Sequence, residues 1–325
     1  MSNVCHRRVH VRRMAGCIGV AFGILLCVVC TGCKGKNCEV VHSSITYDGL
    51  QRTCRLYIPG LYYERSSCPL VVALHGAGST GDDMATVADF EDLADTEGFL
   101  VLLPDGYEKN WNDGRDAAGI AAYDLNIDDV GFINALVDAA AANYNVDTTR
   151  IYLAGMSNGA MMTYRIGCET PARFAAFACV VGAIPENIFG ACSPTGHAPF
   201  VIFNSTDDPL VPWEGGECGT AEVPLGRVVS IQESVQFWAL HNGFVSEPEA
   251  TLMEDVDPND GTRVTEYSYT NGEAEADVVF YGIDGGGHTW PGGPAIQVLW
   301  GTGPVCNDID GTSIIWSFFK AHKRS

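Results

Sequence analysis

Residues 151–162 read Ile151-Tyr152-Leu153-Ala154-Gly155-Met156-Ser157-Asn158-Gly159-Ala160-Met161-Met162. An apolar strand, Ile151 to Leu153, runs into Gly-x-Ser-x-Gly and out into a helical stretch from Ala160 to Ile166. Between a buried strand and a helix this pattern makes a turn so sharp that the positions flanking the serine must lack bulk, and the turn lifts the hydroxyl above the sheet. The pattern alone is common by chance, and its placement gives it weight. The competing reading is a structural turn with an inert serine.

Working outward, further runs rich in apolar and β-branched residues occur at Arg55 to Ile58, Leu70 to Leu74, Phe99 to Leu103, Ala176 to Val181, Phe200 to Asn204, Val264 to Tyr269 and Val278 to Ile283. Each is read as a strand. Between them Ile133, Leu136, Val137, Ala140 and Tyr144 share one helical face behind the cap residues Asp128 and Asp129. Val228, Ile231, Val235 and Trp238 share a second face that stops at Asn242-Gly243, and Thr312 to His322 forms a last helix. Strands alternating with helices predict an α/β domain with a mostly parallel sheet covered by helices on both faces. Functional groups in such a sheet gather where loops leave the carboxyl ends of the strands.

A serine nucleophile needs a base. Of eight histidines, His6 and His10 lie in the N-terminal leader, His42 precedes the core, His197 precedes a strand, and His241 and His322 end helices. His75 follows an early strand beside a glycine turn and suits loop shaping. His288 stands after a late strand in Gly285-Gly286-Gly287-His288-Thr289-Trp290-Pro291-Gly292-Gly293, a loop able to carry an imidazole over the serine. The orienting acid belongs after Phe200 to Asn204, where Asp207 and Asp208 are adjacent and either can serve. Charge developing on a substrate carbonyl needs pre-aimed donors, and the backbone N–H groups of Asn158 and of Ala77 in the turn His75-Gly76-Ala77-Gly78 are placed to supply them. Gly76-Ala77-Gly78-Ser79-Thr80-Gly81 also fits a dinucleotide fingerprint, but that reading leaves serine, acid and histidine loop unexplained. The residues predict neither a cofactor nor a metal. Asp255-Val256-Asp257-Pro258-Asn259-Asp260-Gly261 has its glycine one place late for a calcium loop and reads as a polar hairpin turn.

With 46% hydrophobic and 18% charged residues over 325 positions, the chain can bury a large core. Its formal charge of -21 argues against nucleic-acid partners, whose phosphates it would repel. Residues 1–32 carry Arg7, Arg8, Arg12 and Arg13 ahead of the apolar run Ala15 to Val29, and Cys30-Thr31-Gly32-Cys33 follows. This resembles a bacterial lipoprotein signal, which implies export, lipidation of Cys33 and contact with a membrane only through that anchor. Cys30 stands where such signals usually have leucine, and without lipidation the protein would be secreted. The organisation expected is a signal over 1–32, a tether over 33–43 and one catalytic domain over 44–325. Beyond Cys33 eight cysteines remain, for which an oxidising compartment predicts disulfides, with Cys168–Cys192 and Cys218–Cys306 as plausible pairs.

Taken in order, Leu74-His75-Gly76, Pro104-Asp105-Gly106, Trp111-Asn112, Asp128-Asp129-Val130-Gly131-Phe132, the Gly155 to Gly159 turn, Asp208-Pro209-Leu210-Val211-Pro212 and Gly286-Gly287-His288-Thr289-Trp290-Pro291-Gly292 resemble the polyhydroxybutyrate depolymerase and feruloyl or acetylxylan esterase family over about residues 44–322. The likeness implies an α/β-hydrolase fold and hydrolysis of carboxylic esters through an acyl-serine. The serine–acid–histidine order is the one expected for that fold. The likeness also selects Asp208 over Asp207, because Pro209 follows it. It implies an ester substrate, polymeric in a polyhydroxyalkanoate or a plant cell-wall polysaccharide ester. Trp290, beside the base, and Trp111, after the Pro104 to Tyr107 turn, are read from their positions as aromatic walls for an acyl or sugar moiety, with ordinary packing as the alternative. Ala160 and Asn204-Ser205 depart from the usual glycine and His-Gly. A binding module that kept the fold without catalysis, and a serine peptidase, are the competing functions.

Overall fold

The computed structural model describes residues 38–270, 276–294 and 302–324, with the backbone of residues 27–28. The expected leader, apart from those two residues, and the lipidation position Cys33 lie outside the described residues. Thirteen strands are described: β1 Cys27–Val28, β2 Glu39–Tyr47, β3 Leu50–Ile58, β4 Cys68–Leu74, β5 Leu100–Pro104, β6 Val146–Met156, β7 Ala176–Val180, β8 Phe200–Ser205, β9 Gly216–Gly219, β10 Pro224–Val228, β11 Glu249–Leu252, β12 Arg263–Tyr269 and β13 Val278–Asp284. Eleven form one sheet in the order β1-β2-β3-β5-β4-β6-β7-β8-β13-β12-β11, while β9 and β10 make a separate hairpin. The six strands from β5 to β13 in that order are mutually parallel, and antiparallel strands close both edges.

Among the described residues eight α-helices stand among the strands: α1 Gly81–Ala88, α2 Phe90–Glu97, α3 Ala121–Asp124, α4 Asp129–Asn143, α5 Asn158–Glu169, α6 Glu186–Phe189, α7 Ile231–His241 and α8 Gly311–Ala321. The period-two alternation of the central strands divides the core in two. Leu70, Val72, Ile151, Leu153, Phe200 and Ile202 pack with α4, α5 and α7. The intervening Val71, Ala73, Tyr152, Ala154, Val201 and Phe203 pack with α1, α2 and α8. Both faces are therefore covered, which is why these strands read as unbroken apolar runs.

Asp128 caps α4 as expected, accepting from the Gly131 N–H at 2.9 Å; Ser230, not singled out from sequence, forms a reciprocal capping box with Glu233 to open α7. Val228 lies before that cap and ends β10, so it is not part of the helix face expected of it. Strand β2 begins at Glu39, inside the stretch read as a tether, because Val40, Val41 and Ile45 are buried against the neighbouring layers. Gly81, the last glycine of the pattern that mimics a dinucleotide fingerprint, has a packing role: a Cβ there would lie 2.5 Å from the Leu103 carbonyl oxygen, where α1 crosses β5. Residues 253–262 form the expected polar hairpin loop between β11 and β12. There Asp308 accepts from the Val256 and Asp257 N–H groups, and Asp260 accepts from those of Thr262 and Asn307.

The Cys168–Cys192 disulfide is formed across a sequence separation of 24 residues, a loop whose closure contributes about 3 kcal/mol by restricting the unfolded chain. The Cys218–Cys306 pair is not formed. Cys218 packs on the α4, α5 and α7 side of the sheet and Cys306 on the α1, α2 and α8 side, and both are free and buried, as are Cys54, Cys68 and Cys179.

Candidate active site

Strand β6 ends at Met156 and α5 begins at Asn158, leaving Ser157 alone at the junction with φ 55° and ψ -120°. A non-glycine residue held there stores on the order of 1–3 kcal/mol of strain, tolerated only where the surroundings enforce it. A Cβ on Gly155 would lie 2.2 Å from the Gly159 carbonyl oxygen, and one on Gly159 would lie 2.4 Å from that of Leu74. Any larger residue at either position would push strand and helix apart. The Ser157 N–H donates to the Val180 carbonyl at 2.9 Å and its carbonyl accepts from the Met161 N–H at 3.0 Å, so the backbone of the turn is held on both sides.

Ser157 borders a cavity of about 450 Å³ whose other walls include Gly76, Ala77, Met84, Arg115, Leu210 and His288. The histidine arrives on the return from β13. A Cβ on Gly287 would lie 2.1 Å from the Thr302 carbonyl oxygen, so the triple glycine lets two backbones pass closely. The Gly287 N–H donates to Pro304 at 3.0 Å and that of His288 donates to Thr302. His288 is 3% exposed, and its Nδ1 donates to Asp208 Oδ2 at 2.7 Å. The other carboxylate oxygen accepts from the Leu210 and Val211 N–H groups at 2.8 and 2.9 Å. Asp208 is thus held on both oxygens, and with the proton on Nδ1 a neutral His288 keeps Nε2 as an acceptor. Asp207 is exposed and takes only the Thr206 hydroxyl. No hydrogen bond joins Ser157 to His288 among the described residues; the two share the cavity.

The turn opposite Ser157 is pinned from beneath. A Cβ on Gly76 would stand 3.4 Å from that of Ser157, and the Gly78 N–H donates to Lys109 at 2.8 Å. The N–H groups of Ala77 and Asn158 have no acceptor among the described residues. His75 is fully buried and bridges two loops, with Nδ1 donating to the Gly76 carbonyl at 2.7 Å and Nε2 accepting from the Gly106 N–H at 2.9 Å. That pair of bonds needs a neutral ring, and burial lowers its pKa, with the Gly76 carbonyl working the other way. A folded pKa below the ordinary value of 6.5 means that the unfolded chain binds the proton more readily. The stability His75 contributes is therefore present above that value and is lost as pH falls below it. Thermal melts from pH 8 to pH 5 are expected to drop below pH 6.5 with a slope of at most about 1.4 kcal/mol per pH unit from this group. In His75→Gln, which still accepts from Gly106 but does not titrate, that acid slope should shrink; an unchanged slope would assign it to other groups.

Neither tryptophan expected at the substrate site reaches the cavity. Trp111 is 0% exposed, and its indole N–H donates to the His75 carbonyl at 2.9 Å. Trp290, also 0% exposed, donates to the Thr312 hydroxyl at 2.9 Å and meets Phe90 edge to face. Both rings are large apolar bodies with one donor, and each fills core beneath a loop while its N–H fastens that loop. Residues not anticipated from sequence take the wall instead. The Asn158 side chain accepts from the Trp111 N–H and donates to Asp113, while Arg115, two residues on, borders the cavity beside Cys218 and Leu225. Burial pushes the Cys218 thiol up to about 11 although Arg115 opposes the shift, so near neutral pH it stays protonated and is a poor nucleophile. A charged loop residue such as Arg115 carries no periodicity that marks it as a wall.

Residues 53–207 match the family described as esterase PHB depolymerase. The chain is 29% identical over 255 residues to the "Putative esterase NocK" of Nocardia uniformis subsp. tsuyamanensis, covering 75% of this chain and 72% of that one. It is also 29% identical over 167 residues to the bifunctional acetylxylan esterase/xylanase XynS20E of Neocallimastix patriciarum, covering 51% of this chain but only 23% of that longer protein. Among solved structures, the acetyl xylan esterase from Aspergillus awamori aligns over 90% of this chain and 98% of its own, with a TM-score of 0.53 at 16% identity. At that identity the likeness speaks to the fold, which is that of the α/β-hydrolases.

Proposed function

We propose, for a chain whose residues 53–207 match the esterase PHB depolymerase family, that the protein is a serine carboxylic ester hydrolase with Ser157 as nucleophile, His288 as base and Asp208 as the acid that orients it. The observation that carries this reading is the Asp208–His288 hydrogen bond of 2.7 Å beside a cavity that Ser157 also lines. On substrate binding His288 Nε2 accepts the Ser157 proton as Oγ attacks the ester carbonyl. The oxyanion so formed takes the N–H groups of Ala77 and Asn158, the second at the start of α5 where the helix dipole adds to it. The alkoxide leaves with the proton from His288, and water, activated by the same imidazole, releases the acid from the acyl-serine. Apo enzymes often lack the serine–histidine hydrogen bond and tighten it on binding.

Export through residues 1–32, with a lipid on Cys33 and a catalytic domain behind it, belongs to the same reading. The Cys168–Cys192 disulfide supports an oxidising compartment. Among the described residues no helix is long and apolar enough to cross a membrane. A fluorophosphonate probe should label the wild-type protein at Ser157, whereas a non-catalytic binding module has no activated serine to label. Turnover of feruloyl, acetylated-xylan and hydroxybutyrate-oligomer esters, measured side by side, then assigns the substrate.

A further inference from the structure

Apolar side chains make up much of the cavity wall, among them Met84, Val87, Met156, Leu210 and Leu225, and one guanidinium stands with them, that of Arg115. An ester pocket of this kind has no need of a buried cation, and a guanidinium is costly to take out of water. Arg115 is nevertheless 6% exposed. Its Nε donates to Asp113 Oδ2 at 2.9 Å, its backbone N–H donates to Asp113 Oδ1 at 2.9 Å, and Nη2 donates to the Tyr123 hydroxyl at 3.2 Å. The same Asp113 oxygen accepts from Asn158 Nδ2 at 2.7 Å, which ties the guanidinium to the residue following Ser157. A Cβ on Gly226 would lie 2.6 Å from the Arg115 carbonyl oxygen, so the β9–β10 hairpin clamps the segment from outside. No hydrogen bond from Nη1 to an oxygen is found among the described residues; the guanidinium as a whole lies beside the Cys218 thiol, a weak acceptor, and Arg115 borders the cavity.

We propose that Arg115 is a specificity-determining residue that donates a hydrogen bond to an uncharged oxygen, a second carbonyl or a hydroxyl, carried by the substrate beyond the scissile ester. This rests on the esterase reading of Ser157. The oxygen is assigned as uncharged because Asp113 already neutralises the guanidinium, Asp83 also borders the cavity, and the formal charge of the whole chain is -21. A substrate carboxylate would meet that field at a site whose own cation is compensated. A carbonyl meets a rigid, pre-oriented donor instead, and a site built to donate to an oxygen discriminates strongly against the analogue lacking it.

The test compares kcat/KM for three p-nitrophenyl esters of similar length: pentanoate, 4-oxopentanoate and hemisuccinate. The alcohol side is probed with pentyl acetate against 4-oxopentyl acetate. The wild-type protein is expected to prefer the oxo ester to its all-carbon partner by about tenfold in one of the two series, as one hydrogen bond from a charged donor allows. It should not prefer hemisuccinate. In Arg115→Met that ratio should fall to near one, whatever the absolute rates. Arg115→Lys, which keeps a cation beside Asp113 but lacks the planar fork, should lose most of the ratio too and serves if the methionine variant does not fold. Wild-type ratios near one in both series overturn the proposal without any variant. So does a parallel loss on all esters in the variants, the mark of a purely structural arginine. A preference for hemisuccinate overturns the uncharged assignment. Absence of all turnover together with absence of fluorophosphonate labelling fails the esterase reading itself, and this proposal with it.

Discussion

Ser157→Ala is expected to lower turnover of p-nitrophenyl butyrate by a factor on the order of 10⁶ and to abolish fluorophosphonate labelling, while the protein remains folded. Deletion of the hydroxyl removes the proposed nucleophile from an otherwise intact turn. The Ser157 backbone bonds to Val180 and Met161 do not involve the side chain. Alanine carries the same Cβ and meets the same positive φ of 55°, so the strain of the turn is neither added to nor relieved. Stability should therefore change by under about 1 kcal/mol, checked by thermal melts. Residual rate above water would come from the Ala77 and Asn158 donors and from substrate binding. Turnover close to the wild-type rate in a folded variant would remove Ser157 from the mechanism.

The second large effect separates two adjacent aspartates. Asp208→Asn is expected to lower kcat by about 10⁴, with Asp207→Asn within about twofold of wild type. The reason lies in the bonds Asp208 makes. Its Oδ1 accepts from two backbone N–H groups, so an asparagine there turns its carbonyl oxygen toward them and its NH₂ toward His288. A donor facing Nδ1 selects the imidazole tautomer with the proton on Nε2, which cannot accept the Ser157 proton. Asp207 is exposed and touches neither His288 nor the cavity. If Asp207→Asn proves the damaging change, the acid has been assigned to the wrong residue. Recovery of Asp208→Asn at raised pH, seen in the pH profile of kcat/KM, would favour a tautomer effect over lost structure.

Several structural features could be read from residue order because they depend on local geometry. Gly155 and Gly159 announce the turn at Ser157, since only hydrogen fits against the Gly159 and Leu74 carbonyls. Central strands such as Leu70 to Leu74 announce themselves as continuous apolar runs, being buried on both faces. Strand β2 carries a weaker signal: EVVHSSITY stands one strand in from the sheet edge, beside the two-residue β1, with mixed burial, and its place depends on pairing with β3. The hairpin β9–β10 is likewise short and polar, and Val228 was drawn into a helix pattern because its apolar side chain happened to fit the spacing. Trp111 and Trp290 show the same limit in the site. A tryptophan beside a catalytic loop can line a pocket or brace the loop from below, and the choice depends on which way the chain turns afterwards.

Local chemistry along the chain was enough for an α/β sheet, for a serine on a strained strand-to-helix turn and for a histidine on a triple-glycine loop. Each of these is governed by neighbours within a few residues, where backbone sterics leave little choice. Long-range closure settled the remainder. Folding brings Asp208 within 2.7 Å of a histidine 80 residues away and ties Arg115 through Asp113 to Asn158, 45 residues beyond that aspartate. It also puts Cys218 and Cys306 on opposite sides of the sheet. Such contacts bind groups that share no period and no sequence neighbourhood, so they come into being only when the whole sheet has assembled and set the distances between its loops.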